Sequence, residues 1–236
     1  IAAGIIPAGL EMMDKPMTAA VEDYVHAGYD LSAEAILLCE SDGTPEEVAE
    51  EIERMKAVLE KSGATSLVVS QSEAERLRFW AGRKAAFPAA GRISPDYYCM
   101  DGTIPRKRLG EMLRAIQQME RKYAMRCINV FHAGDGNLHP LIVFDAREPG
   151  IWTRVHDAGD EILRTCVAAG GVLSGEHGIG MEKRDAMPMI FSADDLDLQA
   201  RLRDAFDPSG LANPDKVLPR GSRCGEVRRA PEGTWV

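Results

Sequence analysis

Two histidines flank an Asp-Gly pair in the stretch NVFHAGDGNLH at residues 129–139. Asp-Gly between two runs of apolar residues predicts a β-hairpin, because a type I′ turn needs positive φ at both central positions. With Asp135 and Gly136 as the turn residues, His132 faces His139 across the two strands. Side chains directly opposite each other have Cβ atoms about 4.5–5.5 Å apart. This spacing suits two imidazoles that bind one metal ion.

A second segment, GGVLSGEHGIG at residues 170–180, offers a carboxylate and an imidazole side by side. Its glycines allow backbone conformations closed to other residues and let another molecule approach closely. Glu176 can therefore join the two histidines as a third ligand while His177 points elsewhere, which leaves a coordination position open as in catalytic metal sites. An accidental pair of histidines beside a turn is the alternative. However, three of the five histidines of the chain fall in these two segments.

The composition favours a folded domain that neither binds nucleic acid nor spans a membrane. The 236 residues include 28 basic and 37 acidic side chains, a formal net charge of -9, and 45% are hydrophobic. The basic residues are scattered, which argues against nucleic-acid binding, and no apolar run reaches the roughly 18 residues of a transmembrane segment. Five widely spaced cysteines predict reduced thiols and a cytoplasmic location. Because the sequence starts at Ile1, we expect a piece of a longer polypeptide.

The alternation of strand and helix patterns predicts an α+β fold, a ferredoxin-like antiparallel sheet with helices on one face, followed by a C-terminal helical segment. Thr44, Pro45 and Glu47 have the capping-box pattern and predict a helix that runs to about Lys61. The other predicted helices are 19–27, 72–87, 105–123 and 149–169. The predicted strands are 10–14, 35–40, 66–70, 97–103, 126–132 and 138–145.

Five segments resemble the C-terminal half of FAD-linked 2-hydroxy-acid dehydrogenases. They are WAGRKAAF (80–87), PDYYCMDGTIPR (95–106), FHAGDGNLHP (131–140), SGEHGIG (174–180) and LANPDK (211–216). The segments follow the order of that family, and the resemblance extends from Ile5 to about Pro219. Within the family the chain most resembles the flavin subunits of bacterial glycolate oxidases, with D-lactate and D-2-hydroxyglutarate dehydrogenases as relatives.

The resemblance implies three regions. Residues 1–145 would form a ferredoxin-like substrate and cap domain that lacks its first strand. Residues 146–220 would form the helical C-terminal segment with the GEHG motif and a flavin-facing loop, and residues 221–236 a polar tail. FAD would be held mainly by an N-terminal domain of the same polypeptide. No FAD-binding segment is recognised in this chain, which we therefore expect to be inactive alone.

The resemblance also implies roles for individual residues. A divalent metal, most often zinc, would be bound by His132, His139 and Glu176. His177 would act as the base beside substrate and flavin, Arg83 would bind the substrate carboxylate, and Asn213 would lie near the flavin edge. Without the resemblance, Arg83 is better explained as an ion pair on a helix surface and Asn213 as a turn residue before proline.

The implied reaction is oxidation of a small 2-hydroxy acid, glycolate or D-lactate, by hydride transfer to FAD. In D-2-hydroxyglutarate enzymes a lysine and an asparagine occupy the positions of Cys99 and Leu141, so a second substrate carboxylate would lack polar partners here. Two alternatives stay open, a D-2-hydroxyglutarate dehydrogenase-like enzyme and a non-catalytic ferredoxin-like module that binds a ligand.

Iron–sulfur or other electron-transfer subunits would be partners and could attach the protein to the inner membrane.

Overall fold

The computed structural model describes residues 1–219 of the chain. Five strands form one sheet in the order β2-β1-β4-β5-β3, and every neighbouring pair is antiparallel. The strands are β1 (Gly9–Asp14), β2 (Ala35–Glu40), β3 (Asp96–Cys99), β4 (Arg126–His132) and β5 (Asn137–Phe144). The predicted α+β class with an antiparallel sheet is confirmed.

Seven α-helices accompany the sheet within the described residues: α1 (Lys15–Val25), α2 (Pro45–Lys61), α3 (Glu73–Lys84), α4 (Ala86–Ala90), α5 (Leu109–Tyr123), α6 (Ile151–Ala168) and α7 (Ala193–Phe206). The capping box at the start of α2 is present. The Thr44 N–H donates to Glu47 Oε2 at 2.8 Å, and the Glu47 N–H donates to Thr44 Oγ1 at 3.4 Å. The predicted bounds of this helix are therefore confirmed.

Helices cover both faces of the sheet, whereas the sequence led us to expect them on one face. All eight residues of β5 are buried, so apolar side chains on both of its faces need cover. Phe131, Leu138 and Ile142 pack with buried residues of α5 and α6 in one cluster. Ile128, Val130, Leu141 and Val143 pack with residues of α1 and α4 in a second cluster on the opposite face.

The prediction of a strand at residues 66–70 is wrong. Among the described residues this segment pairs with no strand, and Val68 is 69% exposed. Val68 and Val69 give the segment a local preference for a strand, but a strand also needs hydrogen bonds to a neighbouring strand. The segment does not pair with the edge strand β2, which pairs with β1 alone.

The proposed division between residues 1–145 and 146–220 stays a prediction. Residues 221–236, assigned above to a polar tail, lie outside the described residues, as does residue 220. None of the described helices is both long enough and apolar enough to span a membrane.

Candidate metal and substrate site

The β4–β5 hairpin presents His132 and His139 on the same face of the sheet. Their predicted direct pairing is wrong, because His132 pairs with Asn137 and His139 pairs with Val130. The register differs from the prediction by two residues. Side chains alternate between faces with a period of two, so this shift keeps both histidines on one side. Their ring centroids are 5.1 Å apart.

The hairpin turn is longer than predicted because its glycines make bonds outside the β4–β5 ladder. Residues 133–136 form the turn, and the N–H groups of Asp135 and Gly136 both donate to the carbonyl of His132. Gly134 donates instead to the carbonyl of Leu10 in β1 at 3.0 Å. Only Gly136 of the four has positive φ, at 79°, so the turn is not the predicted type I′.

His139 is the most buried of the candidate ligands, with a side chain 2% exposed. Neither of its ring nitrogens has a hydrogen-bond partner among the described residues. Its Nε2 lies 2.9 Å from Glu176 Oε1, but not in the alignment of a hydrogen bond. Burial, assisted by the nearby His132, lowers the pKa of His139. The ring therefore favours the neutral form, which is the form that binds metals.

Glu176 lies between the histidines. Its Oε1 is 2.9 Å from Nε2 of His139, 3.7 Å from Nε2 of His132 and 3.8 Å from Nε2 of His177. The rings of His139 and His177 stack with centroids 5.2 Å apart. Potential ligand atoms of Asp101, His139, Glu176 and His177 all lie within 4.8 Å of one another. Of the three predicted ligands this group contains His139 and Glu176, and His177 belongs to it instead of pointing elsewhere. His132 lies outside the group, with its Nε2 3.7 Å from Oε1 of Glu176.

Asp101, which the sequence reasoning did not identify, organises the segment that carries Glu176 and His177. Its carboxylate is fully buried and accepts hydrogen bonds from Ser174 Oγ at 2.6 Å, from the three backbone N–H groups of residues 175–177 at 2.8–3.2 Å, and from Lys183 Nζ at 3.2 Å. Burial opposes its ionisation, but these donors outweigh it and hold the pKa of Asp101 well below the usual range. The succession of N–H groups around an anion is a backbone nest.

The predicted importance of glycine in this segment has two physical sources. At Gly175 a Cβ would lie 2.4 Å from the side chain of Asn137, so only glycine allows this close approach. Gly178 directly after His177 has φ of 79°, which strains other residues. Gly175 therefore allows close packing on Asn137, and Gly178 allows the backbone conformation that follows the Glu-His pair.

Arg83 lies in the last turn of α3, yet it is not on an exposed helix surface. Its Nε donates to Glu11 Oε2 at 2.8 Å, and each of the two side chains is only 13% exposed. The second oxygen of Glu11 lies 2.7 Å from Nδ1 of His132. The sequence reasoning missed Glu11; the available signal was a charged residue in the middle of the apolar strand LEMMD.

Asn213 lies in a loop that is tied to the end of the GEHG segment, apart from the histidine cluster. The residue has a positive φ of 46°. Arg203 donates to its carbonyl at 2.6 Å and to that of Ala212. The N–H of Val217 donates to the carbonyl of Gly180 at 2.7 Å. None of the hydrogen bonds or ion pairs of residues 1–219 joins Asn213 to the three predicted ligands.

Two further features lie near the predicted ligands, a hollow with a mainly polar lining and an uncharged pair of residues on β3 and β5. A hollow of about 280 Å³ is lined by Thr103, His132, Asp135, Asn137, Gly175 and Glu176. Cys99 pairs with Leu141 across β3 and β5, and Leu141 follows His139 by two residues on the same face. Burial raises the pKa of Cys99 to about 12, so it stays a neutral thiol.

Comparison with protein families gives one match over most of the chain. The model described as "FAD linked oxidases, C-terminal domain" matches residues 1–217. The chain is 56% identical over 226 residues to glycolate oxidase subunit GlcD of Escherichia coli, covering 96% of this chain and 45% of that protein. It is 37% identical to the protein of the same name from Bacillus subtilis, covering 94% of this chain and 47% of that protein. The chain is 28% identical to a probable mitochondrial D-lactate dehydrogenase of Danio rerio, covering 92% of this chain and 44% of that protein.

Solved structures with little sequence similarity share the fold. Against 4-ethylphenol oxidase from Gulosibacter chungangensis the TM-score is 0.64 at 14% identity, covering 94% of this chain and 50% of that one. Against p-cresol methylhydroxylase the TM-score is 0.65 at 13% identity, covering 89% of this chain and 46% of that one. The chain spans somewhat less than half the length of the relatives named above.

Proposed function

The chain belongs to the family of FAD-linked oxidases and corresponds to their C-terminal domain, and from this premise we propose that it is the substrate- and metal-binding part of an enzyme that oxidises a small 2-hydroxy acid. Glycolate and D-lactate are the proposed substrates, and the 2-oxo acid is the product. The convergence of His132, His139 and Glu176 next to the Arg83–Glu11 pair is the observation that carries this proposal.

The three proposed ligands fit a divalent metal. His139 has two buried ring nitrogens without hydrogen bonds, and burial favours its neutral form. Two imidazole nitrogens and one carboxylate oxygen suit zinc and leave room for substrate. A bound metal would supply Lewis acidity, holding the hydroxyl and one carboxylate oxygen of the substrate and lowering the pKa of that hydroxyl.

Arg83 would hold the carboxylate of the acid. Its Nε is engaged by Glu11, and the hydrogen bonds among the described residues leave its terminal nitrogens for a ligand. A guanidinium presents paired donors that match a carboxylate and never loses its charge near neutral pH. It would therefore orient the α-carbon for hydride transfer.

His177 would take the proton of the hydroxyl group. Its side chain is 44% exposed and its ring stacks on His139, so it lies beside the proposed metal ligands yet stays open to a ligand. Histidine is the side chain best suited to accept and release a proton near neutral pH. FAD, bound mainly by a part of the protein outside this chain, would accept the hydride.

Asn213 would contribute to the flavin side of the site. Arg203 fixes the backbone of its loop, and the Asn213 side chain makes no hydrogen bond among the described residues. We further propose electron-transfer subunits as partners, with iron–sulfur proteins as the first candidates. The name of the E. coli relative, a subunit, supports a multi-subunit arrangement.

Ligand binding to the 236-residue chain tests the proposal directly. We expect zinc to bind, and the zinc-loaded chain to bind glycolate at least about tenfold more tightly than acetate, which lacks the chelating hydroxyl. Isothermal titration measures both. The proposal is wrong if zinc does not bind, or if glycolate and acetate bind the loaded chain equally.

A further inference from the structure

We infer that Glu11 is a positioning residue that orients a metal ligand and the substrate arginine at the same time. Its Oε1 lies 2.7 Å from Nδ1 of His132, and its Oε2 accepts from Nε of Arg83 at 2.8 Å. Each carboxylate oxygen thus serves one partner. This inference rests on the proposed function, since it assigns His132 to a metal and Arg83 to a substrate carboxylate.

The sheet fixes the position of Glu11. Its strand β1 pairs with β4 through Met12 and Phe131 and through Met13 and Val130, so Glu11 comes beside His132 at the end of β4. The next two residues of β1, Met12 and Met13, are 5% and 1% exposed. A carboxylate in such a strand is costly to desolvate unless it has charged partners and hydrogen bonds. Glu11 has both.

Contact with Glu11 selects one tautomer of His132. A carboxylate only accepts hydrogen bonds, so Nδ1 of His132 must carry the proton. Nε2 then has a free lone pair on the side of Glu176, whose Oε1 is 3.7 Å away. Carboxylates that fix a metal-binding histidine in this way raise metal affinity by about ten- to hundredfold.

The second contact of Glu11 sets the orientation of Arg83. Because Nε is engaged by Glu11, rotation of the guanidinium plane is restricted, while its terminal nitrogens make no hydrogen bond among the described residues. One rigidly held carboxylate therefore separates the arginine from His132. Glu11 thus defines the spacing between the metal-binding and carboxylate-binding groups of the site.

Glu11→Gln is an informative variant because an amide offers one acceptor and one donor group. Arg83 and His132 both present donors to this position, so glutamine can satisfy only one of them, or His132 must change tautomer. We expect zinc affinity of the chain to fall about ten- to hundredfold. Glu40→Gln is the matched control, because Glu40 is also a strand glutamate paired with an arginine of α3, at 2.9 Å from Arg76.

Arg83→Met separates the two contacts of Glu11. It removes the ion pair but keeps the carboxylate beside His132, so we expect a smaller loss of zinc affinity than in Glu11→Gln. Equal losses of affinity in Glu11→Gln and Arg83→Met would overturn the inference, because the effect would then come from the ion pair. Unchanged affinity in Glu11→Gln would also overturn it.

The tautomer of His132 provides a readout that needs neither zinc nor a stable variant. In the metal-free original chain, ¹⁵N shifts of the imidazole nitrogens should show the proton on Nδ1. A proton on Nε2 would overturn the inference. Failure of the original chain to bind zinc would contradict the proposed function instead, while the tautomer would still report on Glu11.

Discussion

The Nε2 atom of His139 lies 2.9 Å from Oε1 of Glu176, although neither ring nitrogen of His139 makes a hydrogen bond among the described residues. Buried polar groups in proteins are almost always hydrogen-bonded. A buried neutral imidazole that faces a carboxylate without bonding to it therefore has unused ligand capacity. A cation shared by the two residues would satisfy both.

His139→Ala and His132→Ala should each reduce zinc affinity by at least about tenfold, because each removes one of three ligands. Elemental analysis and titration of the purified chain measure stoichiometry and affinity, with about one zinc per chain expected before substitution. His156→Ala is the control, since His156 packs against Tyr98 and Trp152. Unchanged zinc affinity in both ligand variants would contradict the assignment.

Local patterns in the sequence predicted much of this architecture. The capping box of α2 acts through neighbouring residues, so its consequence can be derived without the fold. The Asp-Gly pair predicted the hairpin but not the length or type of its turn. The hairpin register could not be derived, because Gly134 bonds to Leu10 in a distant strand. The residues that support the site were missed for the same reason. Glu11 and Asp101 acquire their partners only when the sheet and the GEHG segment come together.

Asp101→Asn should destabilise the fold and disorganise the ligand segment. It leaves the buried ammonium of Lys183 without its charge partner, and loss of one member of a buried ion pair costs about 3–5 kcal/mol. Zinc affinity should fall as well, because the N–H groups of residues 175–177 lose their anion. Chemical denaturation measures the free energy of unfolding. Adding Lys183→Met should restore part of the stability; a fully additive loss would show that the two residues act independently.

The same aspartate predicts an acid dependence. The pKa of Asp101 is lowered in the folded chain, so it contributes stability above the unfolded pKa of about 3.9 and loses it as the pH falls further toward the folded value. The free energy of unfolding should therefore decrease with acidification below about pH 4. Asp101→Asn should show a shallower decrease over that range. Parallel curves for the two proteins would rule out this contribution.

Substrate size is predicted to depend on Cys99 and Leu141. In a protein that also carries the flavin-binding part, kcat/KM should favour glycolate or D-lactate over D-2-hydroxyglutarate, because a buried carboxylate without partners costs several kcal/mol. Cys99→Lys combined with Leu141→Asn should shift the ratio toward the dicarboxylate. The uncharged pair Cys99→Ser with Leu141→Val is the control. A native preference for D-2-hydroxyglutarate would refute the assignment.

The role of His177 is open to a decisive comparison, because its ring nitrogen is close enough to the cluster to be a ligand. If His177 is the base, His177→Ala in the flavin-containing protein should keep its zinc while flavin reduction slows by about two to four orders of magnitude. His139→Ala should instead lose zinc and activity together, with partial recovery of both in excess zinc, because a ligand builds the site in which the transition state forms. Zinc content and single-turnover flavin bleaching distinguish the two patterns. Loss of zinc from His177→Ala would identify this histidine as a ligand.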